Sequence, residues 1–171
     1  ADKNLIKEDE KKYYSEKILE LPEIWNVHSG FDFERNYNET PFIKNGYITF
    51  GSFGNFRKIS DELIEAWSNI LKKVNKSKLL LKSSEYYENT LLMDKFKKNG
   101  LEERIIIYNR SNFSSLKDHL NLYKNIDIAL DTFPYNGVTT TFEALWMGVP
   151  VIGLKGYNFN SRCGESILKN A

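Results

Sequence analysis

From Gly46 onward, short apolar runs alternate with stretches of helical period, and that alternation confines the chain to an α/β fold in which crossover helices join parallel strands. Strands are expected over 47–51, 79–82, 104–108, 127–130 and 151–154. The clearest helix follows the first strand. Ser60 can cap it, Asp61 and Glu62 sit in its positive first turn, and Leu63, Ile64, Trp67, Ile70, Leu71 and Val74 form one apolar stripe. A second helix is expected over 85–99, stopped by a left-handed Gly100. A third is expected over 114–124, a fourth from 139–141 to just before Gly148, and a fifth from near Ser161. The expected architecture is a Rossmann-like parallel sheet with helices on both faces.

Residues 1–45 read differently. A charged helical stretch over 8–21 precedes turn residues without a period, so this part is expected to be a linker and N-terminal helix from a preceding region. The domain proper is then 46–171, truncated at its C-terminus. A chain of 171 residues can bury a real core, about two thirds of its unfolded surface. The net charge of +1, from 24 basic and 23 acidic residues without a basic run, argues against a nucleic-acid partner. Cys163 is the sole cysteine, which excludes an internal disulfide and fits a cytoplasmic protein. The longest apolar runs, Ile105–Tyr108 and Ile126–Leu130, fall far short of the roughly 20 residues that span a bilayer, and the first residues carry no apolar signal core. Sequons at Asn38, Asn75 and Asn112 are short enough to arise by chance and are read as unmodified.

In open α/β sheets, ligands bind at the carboxyl ends of the strands. Three loops lie there. The first, residues 51–58, carries glycines, exposed amides and Lys58 and resembles a phosphate cradle, although it has neither the dinucleotide fingerprint nor the Lys-Ser/Thr pair of a P-loop. A plain turn with a solvated lysine remains an equal alternative. The second, 131–138, leads into Thr139, Thr140 and Thr141, whose hydroxyls and helix-start amides suit phosphate oxygens. Gly137 would let the backbone approach a ligand, and Glu143, one turn further, is placed to accept from ribose hydroxyls. The plainer alternative is a threonine-capped helix with a first-turn carboxylate. The third loop leads into the helix with His119, a packing or surface residue on its own merits. Asp127 and Asp131 share a strand face, but Asp127 falls at the strand start, so they are not read as a metal pair. Asp32-Phe33-Glu34 is likewise given no metal role, Trp67 and Trp146 are assigned to the core, and Cys163 is read as a buried spectator.

Three segments, YITFGSFGNFRKIS, IDIALDTFPYNGVTTTFEALWMGVPVIGL and SRCGESIL, together resemble the C-terminal half of the O-linked N-acetylglucosamine transferase family, and the plant SPINDLY O-fucosyltransferases look equally close. The resemblance runs from about Leu21 to the chain end. It implies the C-terminal half of a GT-B glycosyltransferase, which binds a nucleotide sugar without a metal or other cofactor. By this resemblance, Lys58 matches the lysine that neutralises the donor diphosphate, Thr139 and Thr140 match the hydroxyl and amide pair on the phosphates, and Glu143 matches the acidic ribose ligand. Asn55 matches a polar residue near the phosphates, and His119 matches the histidine that lies against the base. Val138 stands where N-acetylglucosamine transferases usually carry histidine, and Gly54 where asparagine is common. The resemblance implies a UDP-sugar donor of the N-acetylglucosamine kind, and these two departures keep a GDP-sugar and O-fucosyl transfer as the alternative. The acceptor would be a protein Ser or Thr, bound through regions outside this chain, so the 171 residues alone are expected to be inactive. A non-catalytic nucleotide-binding or interaction module is the other reading, and the oligomeric state is left open.

Overall fold

The computed structural model describes residues 1–32, 39–83 and 86–171. Five parallel strands, β1 (Thr49–Ser52), β2 (Lys78–Ser83), β3 (Ile105–Asn109), β4 (Ile128–Leu130) and β5 (Val151–Ile152), form one sheet in the order β3-β2-β1-β4-β5. All five expected strands are present, with ends shifted by one or two residues. The order reverses direction at β1, which pairs with β2 on one side and β4 on the other, Phe50 lying opposite both Leu79 and Ile128.

The helices are α1 (Pro41–Asn45), α2 (Asp61–Lys73), α3 (Tyr86–Lys97), α4 (Leu116–Asn121), α5 (Thr139–Trp146) and α6 (Cys163–Leu168). Ser60 caps α2 by accepting from the Leu63 amide at 3.2 Å. Gly100 adopts φ 68°, as its place after α3 demands. The expected start at residue 85 lies outside the described residues, as do Phe33 and Glu34 of the acidic tripeptide and Asn38 of the first sequon. The third helix is shorter than expected, because after Asn121 the chain tightens into a 3-10 turn, Leu122–Asn125.

Strand alternation sorts the core into two layers. Leu79 and Leu81 pack with Phe50, Leu63, Ile64, Trp67 and Leu71 on the α2/α3 side. Leu80 points to the other face and packs with Leu120, Tyr123, Ile126, Ala129 and Ala144 beneath α4 and α5. Burying each large aliphatic side chain contributes roughly 1.5–3 kcal/mol before conformational entropy is set against it. Asp127 lies at the amino end of the sheet, where its carboxylate accepts from the Phe42 and Thr49 amides at 2.8 Å each. It joins α1 to β1, remote from the strand ends where ligands bind. Trp67 is a core residue as expected, whereas Trp146 is only partly buried and stands against Gly30 and Phe31.

The N-terminal segment departs from expectation. In place of a helix over 8–21 there is one 3-10 stretch, Glu8–Tyr13, because the run of Glu8, Asp9, Glu10, Lys11 and Lys12 offers no apolar stripe to bury. Tertiary contacts hold this segment against α6. Leu5 and Ile6 are buried beside Cys163, the Asp2 carboxylate accepts from the Trp25 amide and the Ser166 hydroxyl, and Arg162 pairs with Glu10. Among the described residues, no helix is long and apolar enough to cross a membrane.

Candidate nucleotide-sugar site

The reversal of strand order at β1 opens a crevice between the loops that leave β1 and β4, the place where a doubly wound sheet binds ligands. Those loops carry Lys58 and residues 131–138. A 3-10 turn, Phe56–Lys58, begins at Asn55, whose side-chain oxygen accepts from the Arg57 amide at 2.9 Å. Asn55 thus shapes the turn, and Lys58 closes it. From there the Lys58 ammonium reaches across the crevice, donates to the Asn136 carbonyl at 3.0 Å and lies 4.0 Å from the centre of the Tyr135 ring. Burial pulls Lys58 below the ordinary lysine range, and the nearby Asp131 carboxylate opposes that shift.

Asp131 is the organiser of the second loop, a role the sequence reading missed. Its Oδ1 accepts from the Thr132 amide at 2.7 Å and the Gly137 amide at 2.6 Å, folding residues 131–137 into a closed turn. Thr132 Oγ1 donates to the Tyr135 carbonyl, and the buried Asn136 amide group donates to the Thr132 carbonyl and accepts from the Gly164 amide. Gly137 is needed here for close approach within the protein, since a Cβ would collide with Thr140 Oγ1 and Asp131 Oδ1. The Cβ direction at Gly137 is taken up by these groups, and its amide is bound by Asp131.

The loop delivers the chain to α5, whose N-cap, Val138, supplies no side-chain cap. First-turn amides have no carbonyl within a helix to receive them, and in this turn Thr140 and Thr141 line a small cavity with Ser52, Gly54, Asp131 and Thr132. Thr139 is exposed, Thr140 is half-buried, and Thr141 is buried with its hydroxyl donated to the Gly137 carbonyl at 3.2 Å. Lys58 and the loop that leads into α5 are therefore brought together from about 80 residues apart by the sheet order.

Glu143 and His119 meet beside them. Glu143 is buried, and its Oε2 accepts from the Tyr123 hydroxyl at 2.9 Å and stands 3.0 Å from His119 Nε2. Burial pushes the Glu143 carboxyl upward, but His119, Tyr123 and Lys82 outweigh it and leave the group below the usual carboxylate range. Burial and the Glu143 charge hold Tyr123 well above the ordinary phenol value, so its hydroxyl stays a donor. His119 is framed by the rings of Phe53, Phe113 and Tyr123. Lys82 and Tyr123 also escaped the sequence reading, although Lys82 ends an apolar strand at the ligand-binding edge of the sheet, which is a usable signal. Cys163 is a buried thiol raised to about 11, chiefly by burial, as its reading as a spectator requires.

A pH-dependent consequence follows from Asp131. Burial pushes its carboxyl up to about 6 against the pull of the Gly137 and Thr132 amides and Lys58. The folded chain thus binds a proton between about pH 4 and 6 that the unfolded chain releases, and this group lowers stability as pH rises through that window, by about 3 kcal/mol in all. In Asp131→Asn the amide oxygen can accept the same two N–H groups without the buried charge. Denaturant titrations should show the variant gaining on the wild type as pH rises from 4 to 7. A stability difference that is flat over that range, or moves the other way, would refute the account of Asp131.

Comparison with known proteins identifies the family and the fold. A probable UDP-N-acetylglucosamine–peptide N-acetylglucosaminyltransferase SPINDLY of Eustoma exaltatum subsp. russellianum is 33% identical over 169 residues, covering 94% of this chain and 18% of the relative. A UDP-N-acetylglucosamine–peptide N-acetylglucosaminyltransferase of Caenorhabditis elegans is 30% identical over 121 residues, 71% of this chain and 10% of the relative. The chain therefore spans about a fifth or less of the curated relatives it matches. Among solved structures, a K341M mutant of Thermobaculum terrenum O-GlcNAc transferase superposes with a TM-score of 0.85 at 29% identity, over 98% of this chain and 32% of that one. The sheet and its flanking helices are those of a Rossmann-like half of a GT-B glycosyltransferase. With the glycosyl transferase family 41 model matching residues 37–171, which hold both loops of the crevice and every residue placed in it, the chain belongs to that family.

Proposed function

We propose that this chain is the donor-binding half of a protein O-glycosyltransferase, and that the crevice between Lys58 and α5 holds the diphosphate of a nucleotide sugar. The observation that carries the reading is the convergence of one half-buried ammonium and one open helix start on a single crevice. In the transfer, a Ser or Thr hydroxyl oxygen of the acceptor bonds to the anomeric carbon while the bond from that carbon to the diphosphate breaks. The hydroxyl proton passes to a base, and the nucleoside diphosphate leaves with the bonding pair. Charge then grows on the diphosphate, where Lys58, Thr139 and Thr140 are preorganised to receive it. No metal ion is invoked. Glu143 is proposed to take the ribose hydroxyls and His119 the base. Asn55 acts through the turn that presents Lys58, and Gly137 through the loop that presents α5. Val138 borders the sugar.

The relatives' names support UDP-N-acetylglucosamine as the donor. Val138, standing where N-acetylglucosamine transferases usually carry histidine, leaves a second reading, a GDP-sugar and O-fucosyl transfer. Isothermal titration of the chain with UDP and GDP separates them, and the proposal expects at least a tenfold preference for UDP. Tighter GDP binding would overturn the UDP assignment, and binding of neither nucleotide would overturn the donor site. The relatives' greater length supports a requirement for further protein outside these residues, so the 171-residue chain by itself is proposed to transfer nothing. Turnover by it would refute that point, while complete inactivity of a full-length relative-sized protein with every common donor would favour a binding module. A cytoplasmic location is proposed on the buried, unpaired Cys163.

A further inference from the structure

Lys82 lies at the carboxyl end of β2, and its Nζ stands 3.3 Å from His119 Nδ1. On the other side of the same ring, Nε2 stands 3.0 Å from Glu143 Oε2. A lysine ammonium has three donors and no acceptor, so a charged Lys82 requires Nδ1 to offer its lone pair. The alternative, an imidazolium facing a neutral lysine amine, moves a proton from the stronger base to the weaker one. A lysine ordinarily holds its proton to about four pH units above a histidine, an unfavourable transfer of about 5 kcal/mol. Burial lowers Lys82, but the Glu143 charge acts in the opposite direction. Arg110 opposes the Lys82 charge, whereas Tyr123 donates to Glu143 and the remaining ring neighbours of His119, Phe53 and Phe113, carry no charge.

We infer that Lys82 is a positioning residue that fixes His119 as the neutral imidazole with its proton on Nε2, aimed at Glu143. The chain of donors then runs in one direction, from Lys82 to His119 to Glu143, with Tyr123 donating to the same carboxylate oxygen. Both ring nitrogens are occupied, so His119 meets a ligand with its ring alone and takes no proton from it. Applied to the nucleotide site proposed above, and resting on that reading, this makes the base a stacking partner of His119, oriented by a residue on a different strand.

The chain has two histidines, so the test is well resolved. In the ¹⁵N-labelled 171-residue chain without nucleotide, with His28 assigned through His28→Gln, His119 should show a bare Nδ1 and a protonated Nε2 at pH 7. In Lys82→Met, removal of the ammonium should let His119 take its second proton at a pH at least one unit higher than in the wild type. Lys82→Arg should restore the wild-type titration. A proton on Nδ1 of the wild-type ring at pH 7 would overturn the inference, even if Lys82→Met fails to fold. An unchanged His119 titration in a folded Lys82→Met chain would overturn it as well. Because these spectra need no ligand, they can fail while nucleotide binding and its loss in Lys58→Ala stand, and the reverse.

Discussion

Replacing Lys58 with alanine is expected to weaken binding of a nucleoside diphosphate by about 100-fold, the loss typical of removing one partner from a half-buried, hydrogen-bonded charge pair. The size follows from the position of the ammonium. It is partly shielded from water, and it reaches the Asn136 carbonyl one residue before the glycine that leads into α5. A diphosphate there would replace a carbonyl and an aromatic face with two negative groups. Arg57, in the same turn, is exposed, and its side chain should matter little to the site. Arg57→Ala is therefore the control and should change affinity less than threefold, since solvent-exposed charges are largely screened. Lys58→Arg should recover only part of the affinity, because a planar guanidinium can stack on Tyr135 but spreads its charge over a wider fork than the compact ammonium that reaches the Asn136 carbonyl. Titration calorimetry on the three variants decides the matter. Equal affinity in Lys58→Ala would remove Lys58 from the site.

The largest effect on stability is expected at Arg162, which is 1% exposed. Its Nη2 donates to both Glu10 oxygens at 2.6 Å and to the Tyr157 carbonyl at 2.8 Å, and its Nε donates to the Asn158 carbonyl at 3.2 Å. Arg162→Ala removes these hydrogen bonds, leaves the Glu10 carboxylate without its cation and opens a cavity, so it should cost about 3–5 kcal/mol and lower Tm by about 10 °C. Arg162 also holds Glu10 below the usual carboxylate range. Glu10 therefore stabilises the fold above about pH 4, and that contribution is lost as pH falls further. Glu10→Ala should cost less than Arg162→Ala, and the double variant less than the sum of the two, because they remove one shared interaction. The effect should reach the proposed nucleotide site as well. Gly164, two residues on, donates its amide to Asn136 and so backs the loop before α5. A Tm within 2 °C of the wild type in Arg162→Ala, measured by thermal unfolding, would show that the N-terminal clasp contributes nothing.

The contrast between these two residues shows what the sequence could and could not disclose. Lys58, Thr139, Thr140 and Glu143 were legible because the strand-loop-helix pattern places them at the ligand edge of a parallel sheet, and a specific motif surrounds them. The strands were legible for the same reason, since an apolar run bounded by polar turns has few other uses. Arg162 and Glu10 are 152 residues apart, and nothing local in the charged run 8–12 distinguishes an acid that meets a buried arginine from one that meets water. Helical composition without an apolar stripe was therefore misread as a helix over 8–21. Asp131 was visible, but its use was not. Its partners are backbone amides, which every sequence offers, and only the closed loop shows which two it takes. Likewise His119 could be placed near the site, yet Lys82 on another strand and Glu143 on another helix were needed to say how it is held.

The central claim is that the crevice between β1 and β4 receives a diphosphate. A crystal structure of this chain with UDP or GDP tests it most directly. The account predicts phosphate oxygens within hydrogen-bond distance of Lys58 Nζ and of the amides or hydroxyls of Thr139 and Thr140, with the ribose toward Glu143. A nucleotide bound elsewhere on the sheet, or one in the crevice whose phosphates point away from both Lys58 and α5, would contradict it.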